Sequence, residues 1–354
     1  MVSRPRISDV ATLAGTSVST VSNLLNGRPD RMSRETVRKI EAAIEELGYR
    51  PHWAARQLKT GIVPIIGLLV PSVANPSHGA MARAVEVAAE ANGFQVALGN
   101  TLRDPERELR YASNLLDLGI RGIIIASSPL DLSHFDELIE RGLRLVALDL
   151  GATLNGVEVP IDSVSVDNSL AGYLATHHLI EMGHRRIGYI SGATITVSRR
   201  ERQAGYLDAL TEAGIDADPT VIAAMPAAFG FDDTNAAEHG RSAAIELLRH
   251  PDPPSAIVGF NDMHALGACA AIRDLGLSVP DDISVVGIDD ILLGSLFQPA
   301  LTTVHQPTEA LGARAVELLA KRLRDDVKAA PSHIILEPHV VQRASARPLE
   351  KAHA

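Results

Sequence analysis

Apolar and polar positions follow two different rhythms along the chain, and the change falls near Gly61. Before it, apolar residues recur at helical spacing. Ser8 is placed to cap a first helix carrying Val10, Ala11 and Ala14, and Gly15 supplies the turn that ends it. Ser17 is placed to cap a second, with Val21, Leu24 and Leu25 on one face and Val18, Ser19, Ser22 and Asn23 on the other. Ser33 begins a third, in which Val37, Ile40, Ile44 and Leu47 keep the period and Gly48 is the stop. Two helices joined by a tight glycine turn and buttressed by a third predict a helix-turn-helix unit whose second helix packs one face and leaves the other open to a duplex. Beyond Gly61, short apolar strands alternate with helical stretches, the mark of parallel sheets with crossover helices. Strands are expected at 65–70, 95–98, 122–126 and 143–149, and in a second series at 164–167, 186–191, 221–225, 256–260 and 284–288. Two open sheets with a cleft between them follow.

Composition agrees with folded domains. At roughly 150 residues per domain, 354 residues make two to three compact units, and 46% hydrophobic against 21% charged residues is not a disordered composition. A net charge of −10 argues against a nucleic-acid binder until the chain is divided. Through Thr60 there are ten basic and six acidic residues, a balance of +4 that leaves −14 on the rest. A basic head on an acidic body confines phosphate attraction to the head. Cys269 is the sole cysteine, which fits a reducing compartment. The apolar run 62–70 is broken by Pro64 and is about half the roughly 20 residues of a membrane helix, and Ile7, Ser8 and Asp9 follow the first arginines where a signal peptide would be apolar. These features predict a cytoplasmic, nucleoid-associated protein without a membrane anchor.

The runs Ile7-Ser8-Asp9-Val10-Ala11, Ala14-Gly15-Thr16-Ser17, Thr20-Val21-Ser22 and Asn26-Gly27 resemble the signature of the lactose-repressor (LacI/GalR) family of bacterial regulators. Ser33-Arg34-Glu35-Thr36 and Leu47-Gly48-Tyr49-Arg50-Pro51 resemble that family's third helix and exit, and Ala55-Arg56-Gln57-Leu58-Lys59 its hinge. The likeness runs from Ile7 to about Arg343. It implies an N-terminal all-α helix-turn-helix domain at 1–50, a hinge helix at 51–61 and an α/β sensor of the periplasmic-binding-protein type I fold at 62–343, with a flexible tail at 344–354. The sensor is expected to have a first lobe of about 62–163 and 293–325 and a second of about 164–292 and 326–343.

In such proteins the second helix enters the major groove, which here assigns base contacts to Val18, Ser19 and Asn23: Val to a thymine methyl, Asn bidentately to adenine. Relatives with Arg or His at the last of these positions read other sequences. The resemblance adds Ser8, Ser17, Thr20, Ser22, Asn26, Arg34 and Tyr49 as DNA contacts. A helix as short as the hinge is marginal in water; the resemblance implies that it orders on DNA beside its copy from a second subunit, wedges Leu58 into the minor groove and lays Lys59 alongside. Trp53 has no assigned role there.

Ligands of open α/β sheets bind beyond the carboxyl ends of the strands. Those positions hold Asn75 and Ser77, Asp149, Asn261 and Asp289. Arg202, in the run 198–206, resembles the family's effector-contacting arginine. A guanidinium fork with carboxylates suits a polyol or a purine-like ligand. Ser77 and His78 stand where sugar-binding relatives carry a stacking aromatic, so Phe229, Phe231 and Phe297 are the aromatics left to line the cleft. The expected partners are operator DNA, a sugar or nucleoside-like effector, and a second copy of the chain, with pairing of dimers into tetramers left open. No cofactor or metal is expected. His177 and His178 are adjacent and cannot share a helix face, and the catalytic signatures of hydrolases, P-loop enzymes and zinc proteases are absent from the sequence. The alternative, a solute-binding protein without DNA function, accounts for the body but not for the head.

Overall fold

The structure is a computed structural model that describes residues 5–25, 32–49, 63–154, 156–191, 196–224, 235–324 and 329–349. The chain divides into two compact units, Met1–Val63 and Pro64–Ala354. In the first, α1 (Ile7–Leu13), α2 (Val18–Leu25) and α3 (Arg34–Leu47) close around Val10, Ala11, Ala14, Val21, Ile40, Ala43 and Tyr49. Ser33 caps α3 by accepting from the Thr36 N–H at 3.1 Å, and Gly48 ends it with φ 57°, a left-handed conformation that costs glycine least. The first helix starts earlier than expected. Arg6 is its N-cap, with its own N–H donating to the Asp9 carboxylate at 2.7 Å, so Ser8 lies inside the first turn instead of capping it. A carboxylate at the third helical position outcompeted a hydroxyl at the second because it can reach back to the cap N–H.

The second unit begins with β1 (Ile65–Val70), α4 (Pro76–Ala91), β2 (Gln95–Asn100), α5 (Pro105–Asp117), β3 (Gly122–Ile125), α6 (Asp136–Glu140) and β4 (Arg144–Leu148). A small hairpin, β5 (Thr153–Leu154) and β6 (Val157–Glu158), precedes β7 (Asp162–Val166), α7 (Asn168–Glu181), β8 (Ile187–Ser191) and α8 (Val197–Glu212). Then come β9 (Ile222–Ala224), α9 (Ala236–Leu248), β10 (Ala256–Gly259), α10 (Asp262–Asp274), β11 (Ser284–Asp289), α11 (Leu292–Leu296) and β12 (Thr302–His305). The unit closes with α12 (Thr308–Arg324), β13 (His333–Leu336) and β14 (His339–Val341).

Two six-stranded sheets define two lobes, in the orders β13-β7-β4-β3-β1-β2 and β14-β12-β11-β10-β8-β9. Central strands β3, β8 and β10 are buried throughout, as helices on both faces of a parallel sheet require. Alternate side chains serve opposite faces: Tyr189 and Val258 join one core of the second lobe, Ile190 and Ile257 the other.

Strand pairing corrects the expected lobe boundaries. The strand at 162–166 belongs to the first sheet, beside β4, and not to the second series. Residues 293–305 belong to the second lobe, because β12 pairs with β11 from Val286↔Thr302 to Asp289↔His305. Residues 333–336 belong to the first, because β13 pairs with β7, while 308–324 pack on the first lobe as expected. The chain therefore crosses between lobes near 167, 306 and 337, and these crossings carry no hydrophobic signature of their own. β14 runs antiparallel to β12, so the second sheet is mixed. The tail also departs from expectation up to Leu349: Ser345 is buried, its carbonyl accepting from the Val285 N–H at 2.7 Å, and Leu349 N–H donates to the Met182 carbonyl at 2.8 Å. Among the described residues no helix is long and apolar enough to cross a membrane.

Candidate functional site

Two surfaces carry the expected chemistry, one in each unit. On the head, α2 buries Val21 and turns Ser17, Val18 and Ser19 to solvent, with Val18 45% exposed. Thr20, Ser22 and Asn23 are half-buried along the same helix. The Ser17 hydroxyl accepts from the Thr20 N–H at 3.1 Å and lies 2.7 Å from Ser19 Oγ and 2.8 Å from Thr20 Oγ1, so it is the cap that organises the exposed turn. Arg34 is exposed at the start of α3 and Ser8 is exposed on α1. The Tyr49 ring packs in the core of the head, where burial raises the phenol above its ordinary pKa. Asn26, Leu58 and Lys59, with the rest of the hinge, lie outside the described residues, as do Phe229 and Phe231.

Between the lobes of the second unit lies a cleft of about 640 Å3, counting its open mouth. Asn75, Ser77, Asp149, Arg202, Asn261 and Asp289 all line it. The strand ends bring them together: β1 leads to Asn75, β4 to Asp149, β10 to Asn261 and β11 to Asp289. Asn75 and Asn261 are also helix caps, accepting through Oδ1 from the Ser77 N–H at 3.1 Å and the His264 N–H at 3.0 Å. Their side-chain carbonyls are thus engaged in capping.

Arg202 is buried at the centre. Its Nε donates to Asn168 Oδ1 at 2.9 Å, its Nη1 to the Phe260 carbonyl at 2.9 Å and toward Asp289 Oδ1 at 3.4 Å. Its guanidinium carbon stands 4.9 Å from the centroid of the Phe260 ring, and that of Arg199 stands 5.2 Å from it, both within cation–π range. Asp289 also accepts from Gln306 Nε2, and Asp149 from Asn168 Nδ2 at 3.4 Å. Asp149 and Asp289 take positive φ values of 53° and 133°, an uncommon backbone for residues other than glycine that is held by its surroundings. Glu201, beside Arg202 in sequence, has its carboxyl pushed up to about 7, first by burial and then by the charges of Asp149 and Asp167, against which Asn168 and Arg202 act.

The position of Arg202 follows from how α8 is mounted. At its start Val197 packs into the core of the first lobe, its N–H donating to the Ser128 carbonyl at 3.2 Å, while the Ser198 N–H donates to Ser128 Oγ at 3.0 Å. Further along, Tyr206, Ala209 and Leu210 sit in the core of the second lobe. Gly205 permits this seat: a Cβ there would collide with the Ser169 carbonyl of α7, and one on Gly172 would collide with the Arg202 carbonyl. One helix therefore joins both lobes, with the cleft arginine midway.

Phe297 is the expected cleft residue that the structure places elsewhere; it ends α11 and packs against the second lobe's core. Phe260 supplies the aromatic wall instead. It directly precedes Asn261 at the end of β10, so the strand-end rule applied one residue earlier finds it. Gln306 follows β12, a strand that the apolar pattern does not reveal, while Ser128 and Arg103 follow β3 and β2 and lie within reach of the same strand-end rule.

Residues 6–52 match the family model described as bacterial regulatory proteins, lacI family, and residues 176–346 match a periplasmic binding protein-like domain. Over 97% of its length the chain is 34% identical to the HTH-type transcriptional repressor PurR of Aliivibrio salmonicida (strain LFI1238), covering 99% of that protein. The chain belongs to the lacI family of bacterial regulatory proteins. Among solved structures, this lacI-family chain is similar to the transcriptional regulator CelR in complex with cellobiose, at 32% identity and a TM-score of 0.72 over 97% of this chain and 100% of that one. It is also similar to the Lac repressor dimer bound to operator and the anti-inducer ONPF, at 28% identity and a TM-score of 0.82 over 98% of this chain and 100% of the other. It is a DNA-binding, ligand-responsive transcriptional regulator, with the head as its DNA-binding domain and the two-lobed unit as its ligand-binding domain.

Proposed function

We propose that this regulator represses transcription as a homodimer on a near-palindromic operator, and that a small polyhydroxylated effector, a sugar in preference to a nucleoside or purine, binds in the interlobe cleft and changes its hold on DNA. The observation that carries the ligand reading is Arg202, buried between Asp149 and Asp289 with two asparagine amides nearby. Carboxylates accept from pairs of hydroxyls while guanidinium and amide groups donate to them, a set that suits a polyol. CelR in complex with cellobiose supports a sugar.

A ligand that bridges Asp149 of the first lobe to Arg202 and Asp289 of the second changes the preferred angle between the lobes. The readout is the hinge at 51–61, whose ordering on DNA depends on the spacing of two copies. Coupling of this kind amounts to about 1 to 3 kcal/mol and is reciprocal, so operator changes effector affinity by the same factor.

For the homodimer, α11 offers a surface: Leu292 and Leu296 are 74% and 68% exposed, an apolar face that a second copy would cover. A two-fold dimer matches a two-fold operator. On the head, Val18, Ser19 and Asn23 read base edges, and Leu58 and Lys59 act in the minor groove.

The test is a gel shift of the full chain against genomic fragments, paired with a thermal-shift screen of monosaccharides, disaccharides, nucleosides and purines. A fragment bound in preference to random duplex, whose complex responds to the same compound that raises the melting temperature, is the expected result. Equal binding to all fragments rejects the operator reading, and a melting shift with purines alone replaces the sugar. Asn23→Ala should relax sequence preference at one base pair by about 1 to 3 kcal/mol, measured by competition with single-base operator variants.

A further inference from the structure

Two histidines outside the interlobe cleft meet where the chain crosses between the lobes. His305 is the last residue of β12, one position before the crossing near 306, and His339 is the first of β14, just beyond the crossing near 337. The two strands run antiparallel and pair these residues directly opposite one another. Opposed side chains of an antiparallel pair share a face, with Cβ atoms about 4.5 to 5.5 Å apart. The imidazole centroids stand 4.8 Å apart, with the ring planes tilted by 42°. No spacing in the sequence announces this pair, because strand pairing alone brings the two together.

One of the two rings is held from behind by a carboxylate. His305 Nδ1 lies 2.9 Å from Asp290 Oδ2. An ionised carboxylate only accepts, so in the neutral ring Nδ1 carries the proton and the Nε2 lone pair is left for another partner. Arg343 Nη2 donates to the other oxygen, Asp290 Oδ1, which fixes the carboxylate and with it the ring. Among the described residues no hydrogen bond is made by His305 Nε2 or by either nitrogen of His339. His339 is exposed and the His305 side chain is 31% exposed, so both are open to solvent ions.

A carboxylate behind one imidazole nitrogen and a lone pair at the other is the arrangement that orients histidines for metal ligation. Two imidazoles on one ion, with each nitrogen about 2.0 to 2.1 Å from it, have centroids about 4.5 to 5.2 Å apart at bond angles between about 90° and 109°. The observed spacing falls within that range. No third protein donor stands with the pair among the described residues, so solvent completes the coordination. Imidazole nitrogen suits zinc, nickel or copper, whereas magnesium and calcium require oxygen.

We propose that His305 and His339 form a site for one divalent transition-metal ion per chain, with Asp290 orienting His305 from behind. The ion clips β12 to β14 beside two of the three lobe crossings. Gln306, next to His305, lines the interlobe cleft and donates to Asp289, so the clip steadies a strand end that also serves the cleft.

The test uses the untagged full-length chain at neutral pH. Zinc chloride is followed by titration calorimetry, and copper(II) chloride by electron paramagnetic resonance. One saturable zinc site per chain is expected, with a copper spectrum of two coordinating imidazole nitrogens and a melting temperature that zinc raises. His339→Gln should abolish all three. Because His339 is exposed and makes no hydrogen bond, that variant should melt as the wild type does without metal. Asp290→Asn keeps both donors and should weaken zinc binding by about 10- to 100-fold. His177→Gln, in the adjacent histidine pair of α7, should bind zinc as the wild type does. No saturable zinc binding, saturable binding that survives in His339→Gln, or loss in His177→Gln alone overturns the proposal, and full affinity in Asp290→Asn overturns the orienting role. Neither DNA nor effector takes part in this readout, so its outcome is independent of the operator and sugar readings.

Discussion

Arg202 carries two duties that a single substitution separates. It binds the second lobe through the Phe260 carbonyl and Asp289, and it presents a guanidinium to the cleft. Arg202→Ala should therefore abolish the melting shift caused by the effector while the chain remains folded and dimeric, as scattering in parallel would show. Its neighbour Glu201 sets a pH dependence. The folded carboxyl titrates near 7, above its unfolded value, so the native state binds the extra proton and stability falls as pH rises from about 5 to about 7. Glu201→Gln, which mimics the protonated form, should flatten that fall: thermal melts between about pH 5 and 8 should converge with wild type at the acid end and exceed it at the alkaline end. Parallel curves would show that the raised titration is not felt by the fold. The sequence displayed most of these polar residues through a single rule, that ligands meet strand ends. It concealed Phe260 and Gln306 because each depends on where a strand stops or exists, and it misplaced Phe297, which scarcity of aromatics made attractive and packing excluded.

At the scale of elements, caps were the most readable signals. Ser17 and Ser33 start α2 and α3 as their hydroxyls require, since each satisfies an otherwise bare helix N–H. Ser8 failed because Asp9 competed for the same end of α1. Helix contact is less legible. Gly205 reads in sequence as a weak point within a helix, yet α7 and α8 approach so closely there that a methyl group has no room. Gly205→Ala should gain about 1 kcal/mol of helix propensity and lose about 1 to 3 kcal/mol or more to overpacking, for a net loss measurable by urea unfolding. The shift of α8 should also reduce effector binding, because Arg202 lies one turn earlier on the same helix. A stabilised variant with full effector response would show that the helices can part without cost.

At the scale of the molecule, the division between a basic head and an acidic body matches the two compact units. In the proposed homodimer a pair of heads meets a two-fold operator. Leu296→Arg places a charge on the exposed leucine face of α11 and should shift the chain toward monomer in sedimentation, with operator affinity falling by more than tenfold, about 1.4 kcal/mol. An unchanged dimer would move the interface to another face.

The order of apolar positions by itself marked the three helices of the head and the strands from β1 to β11 apart from the small hairpin, but not β12 to β14, because burial of one helix face or both strand faces is a local, periodic demand that such a segment records in its own residues. It also marked the polar strand ends. Which strands share a sheet was decided only in three dimensions: β7 and β13 join the first lobe and β12 the second by strand pairing, in which Ser163 stands opposite His333, and the backbone groups that make such pairs are the same in every residue. For the same reason the C-terminal residues 344–349 look like a loose tail in sequence and are held in place in the fold, by amides and one buried serine that no pattern distinguishes.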